Sequence, residues 1–427
     1  MQIIENKLVK EKVYIEKVES GFTIMCIPKA NTRKKYAVCS VGYGSNYNKF
    51  LISKENREVE VPDGVAHFLE HKMFEQENGV NSLDALSSLG VDANAYTTNN
   101  HTAYLFECTN NFEEALDELL SYVQNPYFTD ENVEKEKGII AQEINMYDDD
   151  PEWKVYINCM KALYKNSPIR IDIAGSVESI SHINKETLYE CYNNFYVPEN
   201  MVLVIVGDFN PEETIEKVKN KITISNKMKA KIIETPEDEK INQKEISEEM
   251  DISLPIFTIG YKVNPVEKEK VKRNLAIEIL LEILFGQSSK CYKELYQNGL
   301  IFENLWTSFE WSKEEYAHVL IQGKTVDKKK VKKIIEEKIE KLKQDGIDEN
   351  AFERAKRKIY GIYVREFNEV STTATLFVTN YFKQINPFDY IEKYKTLSKE
   401  YVEEILREVF NQEKMVESCI NPKEADE

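Results

Sequence analysis

Apolar residues recur along this chain at two spacings, one typical of β-strands and the other of amphipathic helices. Short, nearly continuous apolar runs predict buried strands at 36–43 and Met201–Gly207, and a run rich in Thr, Tyr and Phe predicts strand structure within 95–107. Apolar positions three and four residues apart predict helices at about 64–74, 111–122 and 130–147. Strands and helices in this order favour an α+β fold over a regularly alternating parallel sheet.

The second half of the chain weakly repeats the first half. The segments 257–261, 275–285 and 353–363 resemble 39–43, 65–75 and 134–144, respectively. Between the halves, residues 225–244 are dominated by Lys and Glu and are interrupted by Pro236, which is typical of a linker. We therefore expect two related domains, residues 1–224 and residues 245–427, joined by residues 225–244.

The charge balance narrows the classes of partner. The 427 residues include 56 Lys and Arg and 74 Asp and Glu, which gives a net charge of −18. This acidity disfavours binding to nucleic acid or to anionic membranes, because both need concentrated basic residues. No apolar run approaches the ~20 residues of a membrane span, and the N-terminus lacks the basic and apolar regions of a secretory signal. With seven scattered cysteines and no CxxC spacing, we expect a cytoplasmic protein with reduced thiols.

The segment His67-Phe68-Leu69-Glu70-His71 has the residues and the spacing of a zinc site. On a helix, His67 and His71 are i and i+4, so both imidazoles leave from one face and can bind one zinc ion at ~2.0–2.1 Å. Glu70 can reach a water beside that ion and take its proton without being a ligand. This H-x-x-E-H order is the inverse of H-E-x-x-H. A helix with two surface histidines and a surface acid remains the alternative.

A catalytic zinc also needs a third protein ligand. The predicted helix at 130–147 offers Glu136 and Glu143, which lie seven residues apart and therefore face nearly the same way. One of the two can bind the metal while the other supports it from behind. Taken alone, this pair is better interpreted as part of a solvated acidic helix, but beside the two histidines it is not.

The internal repeat predicts how many metal sites the chain has. In the second half, the positions of His67, Glu70 and His71 are taken by Ile277, Leu280 and Leu281. None of these three side chains can bind a metal or accept a proton. We therefore expect one zinc ion per chain, in the N-terminal domain.

Several blocks of sequence resemble the pitrilysin/insulinase family of zinc peptidases. Its half-length bacterial members, which are similar to the β subunit of the mitochondrial processing peptidase, give the best match. The matching blocks are residues 64–74, Asn94-Ala95-Tyr96-Thr97, His101-Thr102-Ala103-Tyr104, Glu136 with Glu143, Ile173-Ala174-Gly175, Tyr196, Pro198, Asn200 and Val206-Gly207-Asp208. Each block is short, but their order and spacing cover nearly the whole chain and are together highly specific.

The resemblance implies two homologous α/β-sandwich domains joined by a linker. It implies one zinc ion held by His67, His71 and Glu143. It also implies Glu70 as the general base and Glu136 as the acid that accompanies Glu143, and we count both among the catalytic residues.

The resemblance further implies that a peptide substrate lies extended along an edge strand at Asn94, Ala95 and Tyr96. Backbone hydrogen bonds to such a strand give affinity that tolerates many sequences. A turn at Asn94, which follows Gly90 and Asp92, and simple sheet packing by Tyr96 remain alternatives.

One stretch departs from the family pattern. Members commonly carry a segment close to Arg-Gly-Leu-Ala-Tyr in the second domain, whose Arg and Tyr contact the substrate near the scissile bond. Here the matching stretch is Asn298-Gly299-Leu300-Ile301-Phe302. Asn298 has no charge and Phe302 has no hydroxyl, so neither can replace its counterpart. We therefore expect a homologous partner subunit that supplies the Arg and Tyr, and we favour a heterodimer over a homodimer.

Taken together, the sequence predicts a cytoplasmic zinc endopeptidase that hydrolyses unstructured peptides or short protein segments. A subunit dedicated to one precursor or leader peptide is an alternative with the same chemistry. A third alternative is a non-catalytic scaffold subunit of a heterodimeric peptidase. The presence of all three ligands and of the general base weighs against that alternative.

Overall fold

The computed structural model describes residues 1–224, 229–312 and 315–423. Its strands, in chain order, are β1 (Gln2–Asn6), β2 (Glu11–Lys17), β3 (Thr23–Pro28), β4 (Lys35–Val41), β5 (Lys49–Ile52), β6 (Arg57–Glu60), β7 (Asp92–Thr97), β8 (Thr102–Cys108), β9 (Met201–Gly207), β10 (Lys231–Ile232), β11 (Glu245–Met250), β12 (Ile256–Lys262), β13 (Trp306–Trp311), β14 (Ala317–Lys324) and β15 (Met415–Pro422). The predicted strands at 36–43 and Met201–Gly207 correspond to β4 and β9, and the run at 95–107 forms most of the β7–β8 hairpin.

The helices include the three that the sequence predicts in the first half. In chain order they are α1 (Val65–Lys72), α2 (Ser82–Ser88), α3 (Phe112–Gln124), α4 (Asp130–Asp148), α5 (Pro151–Leu163), α6 (Val177–Ser181), α7 (Lys185–Phe195), α8 (Pro211–Lys221), α9 (Lys270–Phe285), α10 (Lys290–Gln297), α11 (Lys328–Asp345), α12 (Glu349–Arg365), α13 (Val370–Lys383), α14 (Phe388–Lys393) and α15 (Lys399–Val409). The three helices predicted in the first half correspond to α1, α3 and α4.

Over its described residues, the chain divides into two compact units. The first unit comprises Met1–Ile144, Asp172–Glu234 and Val364–Pro387. The second unit comprises Asn145–Ile171, Thr235–Tyr363 and Phe388–Glu427. Each unit contains a sheet with helices packed against it, so the predicted α+β class with two domains of one type is confirmed.

The first unit is built on a seven-stranded sheet in the order β1-β2-β3-β9-β4-β8-β7. Strand β9 is buried along its whole length, because α13 packs on it while alternate residues, Met201, Leu203 and Ile205, belong to the core shared with α1 and α3. Strand β7 lies at the edge of this sheet, and α1 packs against it.

The second unit has a five-stranded sheet in the order β11-β15-β12-β14-β13. Its central strand β12 is fully buried, and α5 packs on β12 and β15. Helix α9, the repeat of α1, packs against the edge strand β13. Within α9, Ile277, Leu280 and Leu281 are buried, so these positions belong to the core of the second unit.

Each unit includes one helix that lies, in the sequence, on the other side of the predicted linker. Helix α5 precedes that linker but belongs to the second unit, and α13 follows it but belongs to the first unit. The division at residues 225–244 stays a prediction, and residues 225–228 lie outside the described residues. Within the rest of that segment, β10 pairs with β5, and residues from Thr235 onward group with the second unit.

Glycine lets these two helices approach their sheets closely. A Cβ atom on Gly42 would lie 3.0 Å from the ring of Phe382 on α13. A Cβ atom on Gly260 would lie 2.7 Å from Cys159 Sγ and 3.0 Å from Leu163 Cδ1 on α5. Gly42 and Gly260 occupy matching positions of the internal repeat. In each unit, a glycine at this position therefore allows the helix from beyond the predicted linker to pack closely on the sheet.

Replacing Gly260 with valine is expected to lower the melting temperature of the second unit. The added methyl groups would overlap α5, and overpacking of this kind costs roughly 1–3 kcal/mol. Gly361→Ala, in α12, is the control: a Cβ there meets nothing within 4 Å, and alanine favours a helix over glycine by about 1 kcal/mol. Thermal unfolding followed by circular dichroism compares the variants. An unchanged melting temperature in Gly260→Val would contradict the close approach of α5.

Candidate metal centre

Helix α1 places the two predicted histidines side by side. Its buried residues Val65, Phe68 and Leu69 anchor the helix in the core of the first unit. This leaves His67 and His71 next to each other on another face, with ring centroids 4.6 Å apart. The predicted i, i+4 arrangement of the two imidazoles is therefore present.

Helix α4 brings the predicted acidic residues to the same place. The helix begins after Thr129, whose side-chain oxygen accepts a hydrogen bond from the backbone N–H of Asn132 at 3.1 Å. Val133, Glu136, Ile140 and Ile144 form its buried stripe. Glu143 lies beside this stripe and is partly exposed.

Three potential metal ligands converge between α1 and α4. His67 Nε2 is 3.6 Å from Glu143 Oε1, and His71 Nε2 is 3.4 Å from Glu143 Oε2. One ligand atom from each of the three residues lies within 4.8 Å of the others. Two imidazoles and one carboxylate are the protein ligands of a known class of catalytic zinc site, which keeps a further position open. The residues present therefore fit a zinc ion.

The surroundings of the two histidines shift their pKa values in opposite directions. Burial, together with the nearby His71, lowers the pKa of His67 to about 3, so its imidazole is neutral at ordinary pH. Burial also lowers the pKa of His71, but the hydrogen bond to Glu136 and the charges of Glu70 and Glu143 outweigh this effect and raise the pKa overall.

Glu136 lies behind His71 rather than among the three converging residues. Its Oε1 atom is 3.1 Å from His71 Nδ1, and its Oε2 atom is 3.3 Å from Lys72 Nζ. Although burial raises the pKa of Glu136, the contacts with His71 and Lys72 more than compensate and lower it. The structure thus separates the two acids that helical spacing alone left open: Glu143 faces the histidines and Glu136 contacts His71 from behind.

Glu70 adjoins the same cluster and has a hydrogen-bond partner that the sequence did not predict. Glu70 is 7% exposed, and Thr97 Oγ1 donates a hydrogen bond to Glu70 Oε2 at 2.5 Å. Burial raises the pKa of Glu70 to about 7, although the Thr97 hydrogen bond and His71 oppose this shift. In the sequence, Thr97 belongs to the block that resembles the family's substrate-binding strand. Nothing in that block indicates a contact with Glu70, so the contact became visible only in the three-dimensional structure.

The three predicted substrate-binding residues lie on β7. Asn94, Ala95 and Tyr96 belong to this edge strand, which pairs with β8 in a register that places Ala95 opposite Tyr104. Asn94 is therefore in a strand rather than in a turn. Tyr96 contacts His101 edge-on at 5.8 Å, so part of the Tyr96 ring serves packing. Because Thr97 ends the same strand and contacts Glu70, the edge strand runs up to the candidate metal centre.

Comparisons with known proteins agree with this fold. The family model described as insulinase (peptidase family M16) matches residues 55–176, and the model described as the peptidase M16 inactive domain matches residues 182–359. The zinc protease YmfH of Bacillus subtilis is 38% identical over 98% of this chain and 99% of its own length. The chain belongs to the insulinase family of peptidases, M16.

Solved structures support the same assignment. An M16-like peptidase from Alicyclobacillus acidocaldarius is 31% identical and aligns with a TM-score of 0.93 over 98% of this chain and all of that one. A protease from Helicobacter pylori, 20% identical, shares the fold with a TM-score of 0.83 over 96% of this chain and all of that one. No helix within the described residues has the length and apolar character that crossing a membrane requires.

Replacing Glu70 with glutamine is expected to stabilise the metal-free protein more at pH 8 than at pH 5. Burial raises the pKa of Glu70 from 4.5 to about 7, so its contribution to stability is full below the unfolded value and is lost as the pH rises through 7. This loss amounts to roughly 3 kcal/mol, because each pKa unit corresponds to ~1.4 kcal/mol. Glutamine has no such proton to lose.

Thermal unfolding midpoints of the metal-free wild type and Glu70→Gln, recorded at both pH values, measure this difference. The exposed residue Glu134 on α4 provides a matched control, because Glu134→Gln removes a carboxylate that pairs with Lys137 at the surface and is 74% exposed. A stabilisation by Glu70→Gln that is the same at pH 5 and pH 8 would show that burial does not perturb this carboxyl.

Proposed function

We propose that this protein is a zinc endopeptidase that hydrolyses unstructured peptides or short protein segments. The observation that carries the proposal is the position of Glu70. This buried acid adjoins the His67, His71 and Glu143 cluster and is hydrogen-bonded to Thr97 on the edge strand β7. A candidate metal site, an acid that can act as a base and an edge strand thus meet at one place, which supports the proposal. Membership of the M16 family and the resemblance to a zinc protease add support.

The residues of the site divide the chemistry among them. Zinc, when held by His67, His71 and Glu143, supplies a Lewis acid that polarises the peptide carbonyl and makes water more acidic. Glu70 accepts a proton from the attacking water and then delivers it to the amine that leaves. In the metal-free protein, burial raises the pKa of Glu70 to about 7, close to the pH at which a general base is most effective. With zinc bound beside it, the pKa of Glu70 would be lower, which favours the carboxylate that takes the proton.

The edge strand defines the class of substrate. A peptide that pairs with β7 at Asn94, Ala95 and Tyr96 extends the first unit's sheet by one strand. Main-chain hydrogen bonds then provide affinity with little dependence on sequence. A folded domain cannot offer a free extended segment, so the site selects peptides and unfolded regions.

The cysteines favour a reducing compartment for this reaction. All seven cysteine thiols are free and buried. Proteins with many unpaired cysteines are typical of the cytoplasm, where thiols are kept reduced. We therefore assign the peptidase to the cytoplasm.

Glu70→Gln is expected to retain zinc and to lose peptidase activity by at least ~10²-fold, because general acid–base catalysis contributes about 10²–10⁴. Glutamine keeps the shape of the side chain and can still accept the Thr97 hydrogen bond, but it cannot take a proton. The measurement is cleavage of a mixed pool of unstructured peptides, read by mass spectrometry, with zinc content determined in parallel. Glu134→Gln serves as the control and keeps wild-type activity. Undiminished cleavage by Glu70→Gln would remove Glu70 from the mechanism.

A homologous partner subunit is the second part of the proposal. Asn298 caps the C-terminus of α10, and Phe302 is 62% exposed. Neither offers the charge or the hydroxyl that family members present to the substrate in this segment. We infer that a partner chain supplies the Arg and Tyr, which favours a heterodimer. A peptidase dedicated to one precursor or leader peptide would use the same arrangement.

The double variant Asn298→Arg, Phe302→Tyr is expected to raise kcat/KM of the isolated chain by at least ~10-fold. The reason is that one positioned donor to the developing oxyanion is worth about 10²–10³ in rate. Asn298→Gln, Phe302→Leu is the control, because it changes size without adding charge or hydroxyl. Full activity of the isolated wild type would contradict the need for a partner. Zinc binding without hydrolysis by wild type or double variant, with or without a homologous subunit, would indicate a scaffold.

A further inference from the structure

Lys72 is a fully buried cation directly after a candidate metal ligand. Its side chain is 0% exposed, and its Nζ atom lies 2.7 Å from Glu75 Oε1 and 3.3 Å from Glu136 Oε2. Removing a charge from water costs several kcal/mol unless close partners compensate for it. A lysine buried in this way needs both carboxylates as partners. One of them, Glu136, also contacts His71, so Lys72 is linked to a candidate metal ligand.

The two oxygens of Glu136 have different partners. Oε1 is 3.1 Å from His71 Nδ1, whereas Oε2 is 3.3 Å from Lys72 Nζ. When His71 donates its Nδ1–H to Oε1, the lone pair of the ring is at Nε2, which faces Glu143 Oε2 at 3.4 Å. Lys72, by holding Oε2, keeps the carboxylate plane in the orientation that makes this bond possible.

The two carboxylates around Lys72 do not depend on it equally. The side chain of Glu75 is 31% exposed and can turn towards water if Lys72 is removed. The side chain of Glu136 is 9% exposed, so it has little access to water and must find another partner or rotate. The loss of Lys72 therefore acts mainly on Glu136, and through Glu136 on the ring of His71.

We propose that Lys72 is a positioning residue for metal binding, which acts on His71 through Glu136. The inference rests on the zinc site of the proposed function and adds a residue to it. Partners of this kind behind a metal-binding histidine usually contribute 10–100-fold to metal affinity. In this protein the contribution would come from a chain of three side chains, Lys72, Glu136 and His71, of which only the last contacts the metal.

Zinc affinity, measured on the purified full chain by competition with a chromophoric chelator, tests the proposal without using enzyme activity. Lys72→Met is expected to weaken zinc binding by about 10-fold or more. In the Glu136→Gln background, the same Lys72→Met change is expected to alter the affinity by less than ~3-fold, because its effect passes through Glu136. Lys137→Met is the matched control: it breaks the Lys137–Glu134 pair on α4 and leaves zinc affinity unchanged.

Equal weakening by Lys72→Met in both backgrounds, or none in the wild-type background, would overturn the inference. If Lys72→Met does not fold, comparison of Glu136→Gln with the double variant decides the matter, because that pair leaves no unpaired charge at position 136. The two must then bind zinc within ~3-fold of each other, and a 10-fold gap refutes the proposal. A wild type that binds no zinc refutes both this inference and the proposed function. Tight zinc binding by Lys72→Met refutes only the inference.

Discussion

The candidate site depends on the pairing of charges that are held out of water. Glu70, Lys72 and Glu136 are each less than a tenth exposed, although they belong to residue types that are almost never fully buried. Each has a partner: Thr97 for Glu70, and the Lys72–Glu136 pair for one another. Because an unpaired buried ion costs several kcal/mol, these contacts restrict the side chains to a narrow set of positions. Through Glu136, that restriction also fixes the orientation of His71.

The second unit shows what the same architecture looks like without such charges. Its helix α9 carries Ile277, Leu280 and Leu281 where α1 carries His67, Glu70 and His71, and all three are buried apolar residues. The fold therefore does not need the charged cluster in order to form. The charged cluster is present in only one of two similar units. The free-energy cost of burying its charges is therefore found only in the unit for which catalysis is proposed.

The sequence predicted the features that depend on local pattern and missed those that depend on distant contacts. The bounds of β9 were predicted to the residue, since seven buried apolar positions in a row admit few other interpretations. The meeting of His67 and His71 on one face of α1 was predicted because helical spacing fixes which side chains share a face. That these residues bind a metal with Glu143 stays a prediction. Sequence pattern did not predict the contact of Thr97 with Glu70 or the burial of Lys72, because a threonine in a strand and a lysine on a helix are usually in solvent. The exchange of α5 and α13 also lies beyond any local signal.

The exchange of helices has a consequence for how this chain is made. Helix α13, which covers one face of β4 and β9, is encoded far downstream of the other elements of the first unit. A chain that emerges from the ribosome N-terminus first must therefore keep that face of the sheet without its helix during most of its synthesis. Completion of the unit that carries the histidines thus waits until Lys383 has been synthesised, and products that end before α13 lack the helix that covers this face.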